Sequence, residues 1–172
     1  MTVGVVVWIT GLPSSGKSKL ALRLANELRE RSAAVCILDG DAVRKSLVPR
    51  HGYTAADRAA FYESLARLAA LLAAQGLVVL VPATANRRAF REFARQLAPA
   101  FVEVWVDTPA SECKRRDSKG LYAASSAGLE QGVPGVDEEY EAPLAPDVVV
   151  HGALDAAGLA RVLEKLEKLE HR

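Results

Sequence analysis

The residues from Gly11 to Ser18, GLPSSGKS, have the types and spacing of a phosphate-binding loop. They match the pattern G-x-x-x-x-G-K-[ST] at each fixed position. In such a loop, successive backbone N–H groups and the N-terminus of the next helix face phosphate oxygens. Lys17 would reach the β- and γ-phosphates, and the Ser18 hydroxyl would ligate Mg²⁺. The pattern predicts that ATP or GTP binds at Gly11, Leu12, Pro13, Ser14, Ser15, Gly16, Lys17, Ser18 and the adjacent Lys19.

An ordinary glycine turn before a helix is the alternative interpretation of this stretch. The flanking sequence argues against it, because the apolar run VVVWIT precedes the loop and leucines at positions 20, 24 and 28 follow it at helical spacing. A strand before the loop and a helix after it are the context that the motif requires. Nucleotide binding is therefore the favoured interpretation.

Two carboxylates follow the second apolar run, at Asp39 and Asp41 in LDGDAVR. Carboxylates in this position can assist a magnesium ion or accept a proton from an attacking hydroxyl. Arg44 lies about one helical turn further on, where a guanidinium can clamp an anionic substrate with two hydrogen bonds. The alternative is a turn and a helix cap, since Asp is favoured at both. A phosphate loop opposite this segment favours the functional interpretation.

Further cationic side chains have two possible roles each. On spacing alone, Arg58 is better explained as a solvated helix charge and Tyr53 as a packing residue. The Arg-rich segment after the third apolar run is predicted either to contact phosphates or to form a solvated helix face; it contains Asn86, Arg87, Arg88 and Arg91. The histidines at 51, 151 and 171 have no partner spacing and are predicted to lie at the surface.

The segment from Asp117 to Pro146 is polar and interrupted by glycines, and the basic stretch Lys114–Arg116 precedes it. A segment of this length in a nucleotide-binding domain predicts a lid that closes over the substrates and excludes water. A disordered loop is the alternative. Apolar side chains inside the segment favour the lid, because they give it something to pack against: Leu121, Tyr122, Val133, Val136 and Tyr140.

The elements that must position these residues alternate between strand and helix patterns. Strands are predicted at 3–10, 34–38, 77–81, 101–106 and 147–150, and helices at 16–31, 55–75, 86–97, 109–116 and 155–170. The pattern predicts an α/β fold with a five-stranded parallel sheet covered by helices on both faces. Ligands of such sheets bind at the carboxyl ends of the strands, where the candidate residues are found.

Size and composition predict one globular domain over residues 1–172. The chain has 172 residues, 50% of them hydrophobic, which excludes wholesale disorder. A net charge of +1 without a long basic run argues against a nucleic-acid surface. The N-terminus has no basic flank of a signal peptide, and no apolar run is long enough to span a membrane. We therefore expect a cytoplasmic location and no membrane partner.

The sequence resembles the adenylyl-sulfate kinase family of P-loop kinases. The resemblance covers most of the chain and lies in GLPSSGKS, LDGDAVR, GYTAADR, VEVWVDTP, RDSKGLY and GVDEEYEAP. It implies transfer of the γ-phosphoryl group of ATP to the 3′-hydroxyl of adenosine 5′-phosphosulfate, with Mg²⁺ as the cofactor. It also implies a P-loop kinase fold, and a homodimer is common in the family.

The resemblance implies roles for individual residues. Asp41 would meet the acceptor hydroxyl and the Mg²⁺ shell, so that Lys17 and Asp41 are the candidate catalytic residues and Ser18 and Asp41 the candidate metal ligands. On the acceptor side, the resemblance implies that Arg44 and Arg58 clamp the phosphosulfate and that Tyr53 stacks on the adenine. Asp39 is a further candidate residue on this side. Arg116 would lie near ATP, and Lys119 would belong to the lid.

Several acceptor-side positions depart from the family pattern. Phe61 stands where the family has an Asn that holds the substrate, and Val133 where it has a Phe that completes the adenine sandwich. Other departures are Ala85 for Ser, Ala123 and Ala124 for two lysines, and Ser126 for a basic residue. On the ATP side, Lys19 replaces the common Thr. Losing one stacking face costs about 1–3 kcal/mol of base binding.

Three functions are compatible with this pattern. The first is an adenosine phosphosulfate kinase in which the changes at Phe61 and Val133 are compensated. The second is a kinase of the same family that acts on another nucleotide, such as a cytidine diphosphate derivative. The third, a nucleotide sensor without catalysis, is disfavoured by the complete phosphate loop and the two aspartates.

Overall fold

The chain folds around a five-stranded parallel sheet. In the computed structural model, which describes residues 4–49, 51–129 and 131–170, the strands are β1 (Val5–Thr10), β2 (Val35–Ile37), β3 (Val78–Pro82), β4 (Phe101–Val106) and β5 (Val148–Val150). Their order is β2-β3-β1-β4-β5, so β1 lies in the centre between β3 and β4. The register pairs Val5 with Val78 and Thr10 with Trp105. The phosphate loop thus leaves the carboxyl end of the central strand.

Seven helices accompany the sheet in the described part of the chain. They are α1 (Lys17–Glu30), α2 (Gly40–Ser46), α3 (Ala55–Ala73), α4 (Arg88–Leu97), α5 (Ala110–Arg116), α6 (Leu121–Ser126) and α7 (Ala156–Glu170). None of them combines the length and the apolar character that crossing a bilayer requires. The helices and the parallel sheet confirm the predicted α/β fold.

Alternation along β1 divides its side chains between two apolar cores. Val5, Val7 and Ile9 pack with residues of α1 and α7 on one face of the sheet. Val6 and Trp8 pack with α3 and α4 on the other. All six residues of β1 are buried, which is why the strand reads as one continuous apolar run. Two covered faces hold the central strand, and hence the start of the phosphate loop, in place.

The predicted element boundaries differ from the observed ones in two main ways. Helix α2 runs from Gly40 to Ser46, where no helix was predicted and a turn with a helix cap was the alternative interpretation. Helix α6 lies within the segment predicted as a lid, and its six residues are too few to show an apolar period that would identify it. The predicted strand residue Val3 and the predicted surface residue His171 lie outside the described residues. The leucines of α7 dock on the sheet, with Leu159, Leu163 and Leu166 in the core.

Candidate active site

The phosphate loop joins β1 to α1 in a conformation that few side chains tolerate. Gly16, the N-cap of α1, has φ of 105°, and a Cβ atom there would lie 2.8 Å from the Cβ of Ala153. Glycine is therefore required by both the backbone and the space. No side chain caps the first turn of α1, so its N–H groups stay available to an anion.

Lys17 lies over its own loop. Its ammonium Nζ donates hydrogen bonds to the carbonyl oxygens of Gly11, at 3.0 Å, and of Leu12, at 2.7 Å. Burial, together with the nearby charge of Lys119, lowers the pKa of Lys17 to about 8. The loop thus holds a cation that lacks a full set of hydrogen-bond partners, and such a cation gains from phosphate oxygens.

Asp39 links the phosphate loop to α2. Its Oδ2 accepts a hydrogen bond from the Ser18 hydroxyl at 2.7 Å. Its Oδ1 accepts from the backbone N–H groups of Asp41, at 3.1 Å, and Ala42, at 3.2 Å, as an N-cap does. The helix-cap interpretation of Asp39 is therefore correct, and the same carboxylate also contacts the loop. The two interpretations were not exclusive.

The Asp41 carboxylate is ion-paired with Lys119 of the predicted lid. Two other contacts join this segment to the phosphate loop. The hydroxyls of Ser118 and Ser14 are 3.3 Å apart, and Tyr122 donates from its hydroxyl to the carbonyl oxygen of Pro13 at 3.0 Å. These contacts bring residues 118–122 over the loop.

Arg44 and Arg58 lie at the other end of the site and are both buried. Arg44 donates from Nη1 to the Gly52 carbonyl at 2.7 Å, and its guanidinium lies on the ring of Phe61. Arg58 donates to the carbonyl oxygens of Tyr53 and Gly132. The prediction that Arg58 is a solvated helix charge was therefore wrong, because its partner at Gly132 is 74 residues away and invisible to local spacing.

Tyr53 and Val133 border the same region. Tyr53 is 60% exposed, which argues against the packing role suggested by its spacing, whereas Val133 is buried. The backbone N–H groups of Gly132 and Val133 donate to the Asp137 carboxylate, at 2.7 and 2.6 Å, and these bonds fix the turn that carries Val133.

The arginines after β3 have a role that neither predicted alternative included. Arg91 is 2% exposed and donates to Glu103, Ala85 and the Glu141 carbonyl. Arg88 donates to the Ala142 carbonyl at 2.8 Å. Arg91 is buried and so is not a solvated helix charge, whereas Arg88 is exposed, and neither side chain lines the cavity described next. They anchor residues 141–142, at the end of the predicted lid segment, to α4.

One cavity of about 1030 Å³ brings most of the predicted site residues together. Those that line it are Pro13, Ser14, Gly16, Lys17, Ser18, Lys19, Asp39, Asp41, Arg44, Tyr53, Arg58, Phe61, Arg116, Lys119 and Val133. Gly11, Leu12 and Ser15 do not line it. The carbonyl oxygens of Gly11 and Leu12 accept the hydrogen bonds of Lys17. The Ser15 carbonyl accepts a hydrogen bond from the Thr108 hydroxyl at 2.9 Å.

Two further segments line this cavity and were not predicted: 82–84, which begins at the last residue of β3, and 151–154 after β5. Both lie at the carboxyl end of a strand, so the rule that ligands bind at that edge would have found them. His151 is exposed as predicted, and it also lines the cavity. Lys45 was missed too, although it neighbours Arg44.

The charge of the cavity suits polyanionic ligands. Seven Lys or Arg side chains and two carboxylates line it: Lys17, Lys19, Arg44, Lys45, Arg58, Arg116 and Lys119 against Asp39 and Asp41. Arg116 donates to Glu112 at 2.8 Å, which orients its guanidinium at the rim. An excess of cations in a concave site raises the local concentration of anions.

A magnesium site is compatible with the oxygen atoms near Ser18. Within the described residues, no cluster of three or more His, Cys, Asp or Glu side chains could hold a metal by itself. Mg²⁺ bound with a nucleotide needs only one or two protein oxygens, besides phosphate and water. The Ser18 hydroxyl and the Asp39 carboxylate provide two, 2.7 Å apart. Asp41 was predicted as the carboxylate ligand, but it is Asp39 that contacts Ser18.

Comparison with known proteins points to one family. The family model described as adenylylsulphate kinase matches residues 3–151. A protein named adenylyl-sulfate kinase from Synechococcus sp. (strain JA-2-3B'a(2-13)) is 42% identical over 146 residues, which cover 85% of this chain and 83% of the relative. The bifunctional enzyme NodQ of Azospirillum brasilense is 45% identical over 97% of this chain, but the chain spans only 27% of NodQ.

A solved structure matches nearly the whole chain. It is the Mycobacterium tuberculosis APS kinase CysC in complex with AMPPNP and APS, with a TM-score of 0.90 and 36% sequence identity. The match covers 97% of this chain and 99% of that protein.

Proposed function

The chain belongs to the adenylylsulphate kinase family, and from that membership and the geometry of the cavity we propose that it phosphorylates adenosine 5′-phosphosulfate. The reaction transfers the γ-phosphoryl group of ATP to the 3′-hydroxyl and gives 3′-phosphoadenosine 5′-phosphosulfate, the activated form of sulfate. One observation carries the proposal: a single cavity contains the phosphate loop, Asp41 and the two buried arginines, Arg44 and Arg58. Its volume, at the upper end of the range for ligand sites, suits two nucleotides.

The ATP end of the cavity supplies positioning and electrostatic stabilisation. Phosphoryl transfer requires little covalent chemistry from a protein, because the transition state is stabilised by correctly placed charge. Lys17 and the first N–H groups of α1 would contact the β- and γ-phosphates. With phosphate present, Lys17 exchanges its two carbonyl contacts for charged oxygen partners, which stabilises its ammonium form.

Asp41 would orient the acceptor. Its carboxylate is half exposed in the cavity, and Lys119 is its ionic partner. We expect the 3′-hydroxyl to donate a hydrogen bond to Asp41, which directs the hydroxyl oxygen towards the γ-phosphorus and can take its proton. Lys119 would then lie close to both the carboxylate and the transferred group.

Members of this family use a divalent metal with ATP, and we propose Mg²⁺ for this chain. Bound Mg²⁺ neutralises negative charge on the β- and γ-phosphates. Ser18 and Asp39, with Asp41 nearby, are the residues that would hold it. The residues 117–146 would exclude water from the site, so that the phosphoryl group passes to the acceptor.

Another nucleotide acceptor is the second candidate. It is favoured by Phe61 and Val133, because an Asn and a Phe at these positions in the family contact the substrate. A third candidate, a nucleotide sensor without catalysis, would require that the aspartates and Lys119 serve binding alone. A homodimer stays a prediction.

The test is a coupled assay of ADP release with Mg-ATP. Adenosine 5′-phosphosulfate is compared with a panel of nucleotides that includes cytidine diphosphate derivatives. We expect a kcat/KM for the phosphosulfate at least a hundredfold above that for any other acceptor. Turnover of another nucleotide alone would support the second candidate, and silence with the whole panel would support the sensor.

A further inference from the structure

Arg44 rests on the face of an aromatic ring. The guanidinium carbon Cζ lies 3.7 Å from the centroid of the Phe61 ring, which is van der Waals contact. A cation on the face of a ring is attracted by its quadrupole, and more strongly where water is excluded. Arg44 and Phe61 are only 8% and 1% exposed. The stack is therefore a desolvated one.

Other contacts fix the same guanidinium from the side. Nη1 donates to the carbonyl oxygens of Gly52, at 2.7 Å, and of His51, at 3.4 Å. The ring of Tyr53 lies 4.7 Å from Cζ. Within the described residues, Nε and Nη2 have no hydrogen-bond partner. Two donors of a buried cation that lines the cavity are thus left for a ligand.

The ring beneath Arg44 is itself held in place. Phe61 contacts Tyr62 edge-on, with ring centroids 5.2 Å apart. The Tyr62 hydroxyl accepts a hydrogen bond from the backbone N–H of Ala85 at 3.0 Å, and its ring stacks on Phe90. The orientation of the Phe61 ring is therefore determined by groups on α3, α4 and the segment after β3.

We propose that Phe61 is the positioning residue for Arg44 and so determines the affinity for the anionic group of the acceptor. Phe61 presents Nε and Nη2 of Arg44 to the phosphate or sulfate oxygens, and with 1% exposure it offers almost no surface to the acceptor itself. The inference rests on the proposed function and names the residue that tunes its acceptor site. It also means that a phenylalanine at position 61, where the family has an Asn, does not imply a different base in the acceptor.

The test compares two substitutions of phenylalanine by leucine. Phe61→Leu keeps an apolar side chain but removes the ring face. Phe93→Leu is the matched control, since Arg67 lies over the Phe93 ring at 5.6 Å and neither residue lines the cavity. We expect Phe61→Leu to raise the KM for adenosine 5′-phosphosulfate about tenfold, with kcat and the KM for ATP within twofold of the original. Phe93→Leu should change none of the three.

A double-mutant cycle separates positioning from a structural effect. In the background of Arg44→Ala, Phe61→Leu should change the acceptor KM by less than twofold, because the residue through which Phe61 acts is gone. Should Phe61→Leu not fold, Phe61→Met fills similar space without a ring face and carries the same expectation.

A labelling experiment measures the accessibility of the Arg44 guanidinium without any substrate. Phenylglyoxal modification of Arg44, quantified by peptide mass spectrometry on the nucleotide-free protein, should be several-fold faster in Phe61→Leu than in the original chain. Three results would each overturn the proposal: an unchanged acceptor KM in Phe61→Leu, an equal rise in that KM in the Arg44→Ala background, or an unchanged labelling rate. If the original chain does not phosphorylate adenosine 5′-phosphosulfate, the proposed function fails, and the labelling rate still decides whether Phe61 positions Arg44.

Discussion

Arg91 of α4 and Glu103 of β4 form a buried ion pair, with 2.7 Å between Nε and Oε1. The two side chains are 2% and 11% exposed. The same guanidinium donates to the Glu141 carbonyl at 2.6 Å, so the pair ties residue 141 to the sheet.

Removal of one partner of this pair should destabilise the fold strongly. Arg91→Met leaves the Glu103 carboxylate buried with a weaker partner, which typically costs about 3–5 kcal/mol of unfolding free energy. Urea denaturation measures the loss. Arg95→Met is the control, because Arg95 contacts Glu103 at 3.4 Å but is about one third exposed, and we expect it to cost about 1 kcal/mol or less. Equal losses in the two variants would contradict the importance of burial.

The affinity for ATP should fall at alkaline pH because Lys17 loses its proton. Its pKa is lowered to about 8, so the ammonium that meets the phosphates is present below that pH and is lost above it. We expect the affinity for AMPPNP, measured by calorimetry between pH 6.5 and 9.5, to fall up to tenfold per pH unit above 8. Lys17→Met should bind weakly at every pH, without this step. A flat profile for the original chain would contradict the assignment.

The lowered pKa of Lys17 has the opposite effect on the stability of the fold, which rises with pH where the affinity for ATP falls. In the unfolded chain Lys17 titrates near 10.5, so between pH 8 and 10.5 the unfolded state binds more protons. In that window this group makes the nucleotide-free protein more stable as pH rises. Lys17→Met, which removes the desolvated charge, should raise the melting temperature of the nucleotide-free protein by a few degrees and abolish turnover.

Loss of the Asp41 carboxylate should abolish chemistry but spare the fold and ATP binding. Asp41→Asn can no longer accept the proton of the acceptor hydroxyl, so we expect kcat to fall at least a hundredfold. AMPPNP affinity should change by less than threefold. Asp107→Asn is the control, since Asp107 also follows a strand at this edge but does not line the cavity. Near-normal turnover in Asp41→Asn would remove Asp41 from the mechanism.

Tyr53 should contribute to acceptor binding through its ring. It lines the cavity and is 60% exposed without ligand, so that much of its ring is open to an acceptor base although the Arg44 guanidinium lies 4.7 Å from the ring centroid. Tyr53→Leu should raise the KM for adenosine 5′-phosphosulfate about tenfold with little change in kcat. Tyr53→Phe retains the ring and should behave as the original. An unchanged KM in Tyr53→Leu would mean that the acceptor base does not stack there.

The parts of the fold that sequence could predict are those with a local period. The apolar runs before Gly11 and before Asp107 identify strands, and their order with helices predicts the parallel sheet. The phosphate loop is predictable because all its fixed positions lie within eight residues. Asp39 and Asp41 are predictable as site residues because the carboxyl ends of parallel strands converge at one edge.

The remaining features depend on partners far along the chain. Arg91 looks like an exposed helix charge because Glu103 and Glu141 are 12 and 50 residues away. The family resemblance identifies Phe61 as a changed acceptor-side position, but no sequence pattern indicates that the Arg44 guanidinium covers its ring. Helix α6 is too short to show a period. Tertiary contacts decide all three.

The double contact of Asp39 has a consequence for amide exchange. The carboxylate that accepts from Ser18 also caps α2 through the N–H groups of Asp41 and Ala42. Any cation or nucleotide that recruits Ser18 must redistribute the charge of this one group, and the cap of α2 changes with it. Deuterium uptake at the amides of Asp41 and Ala42 should therefore report whether the phosphate loop is occupied, without any added label.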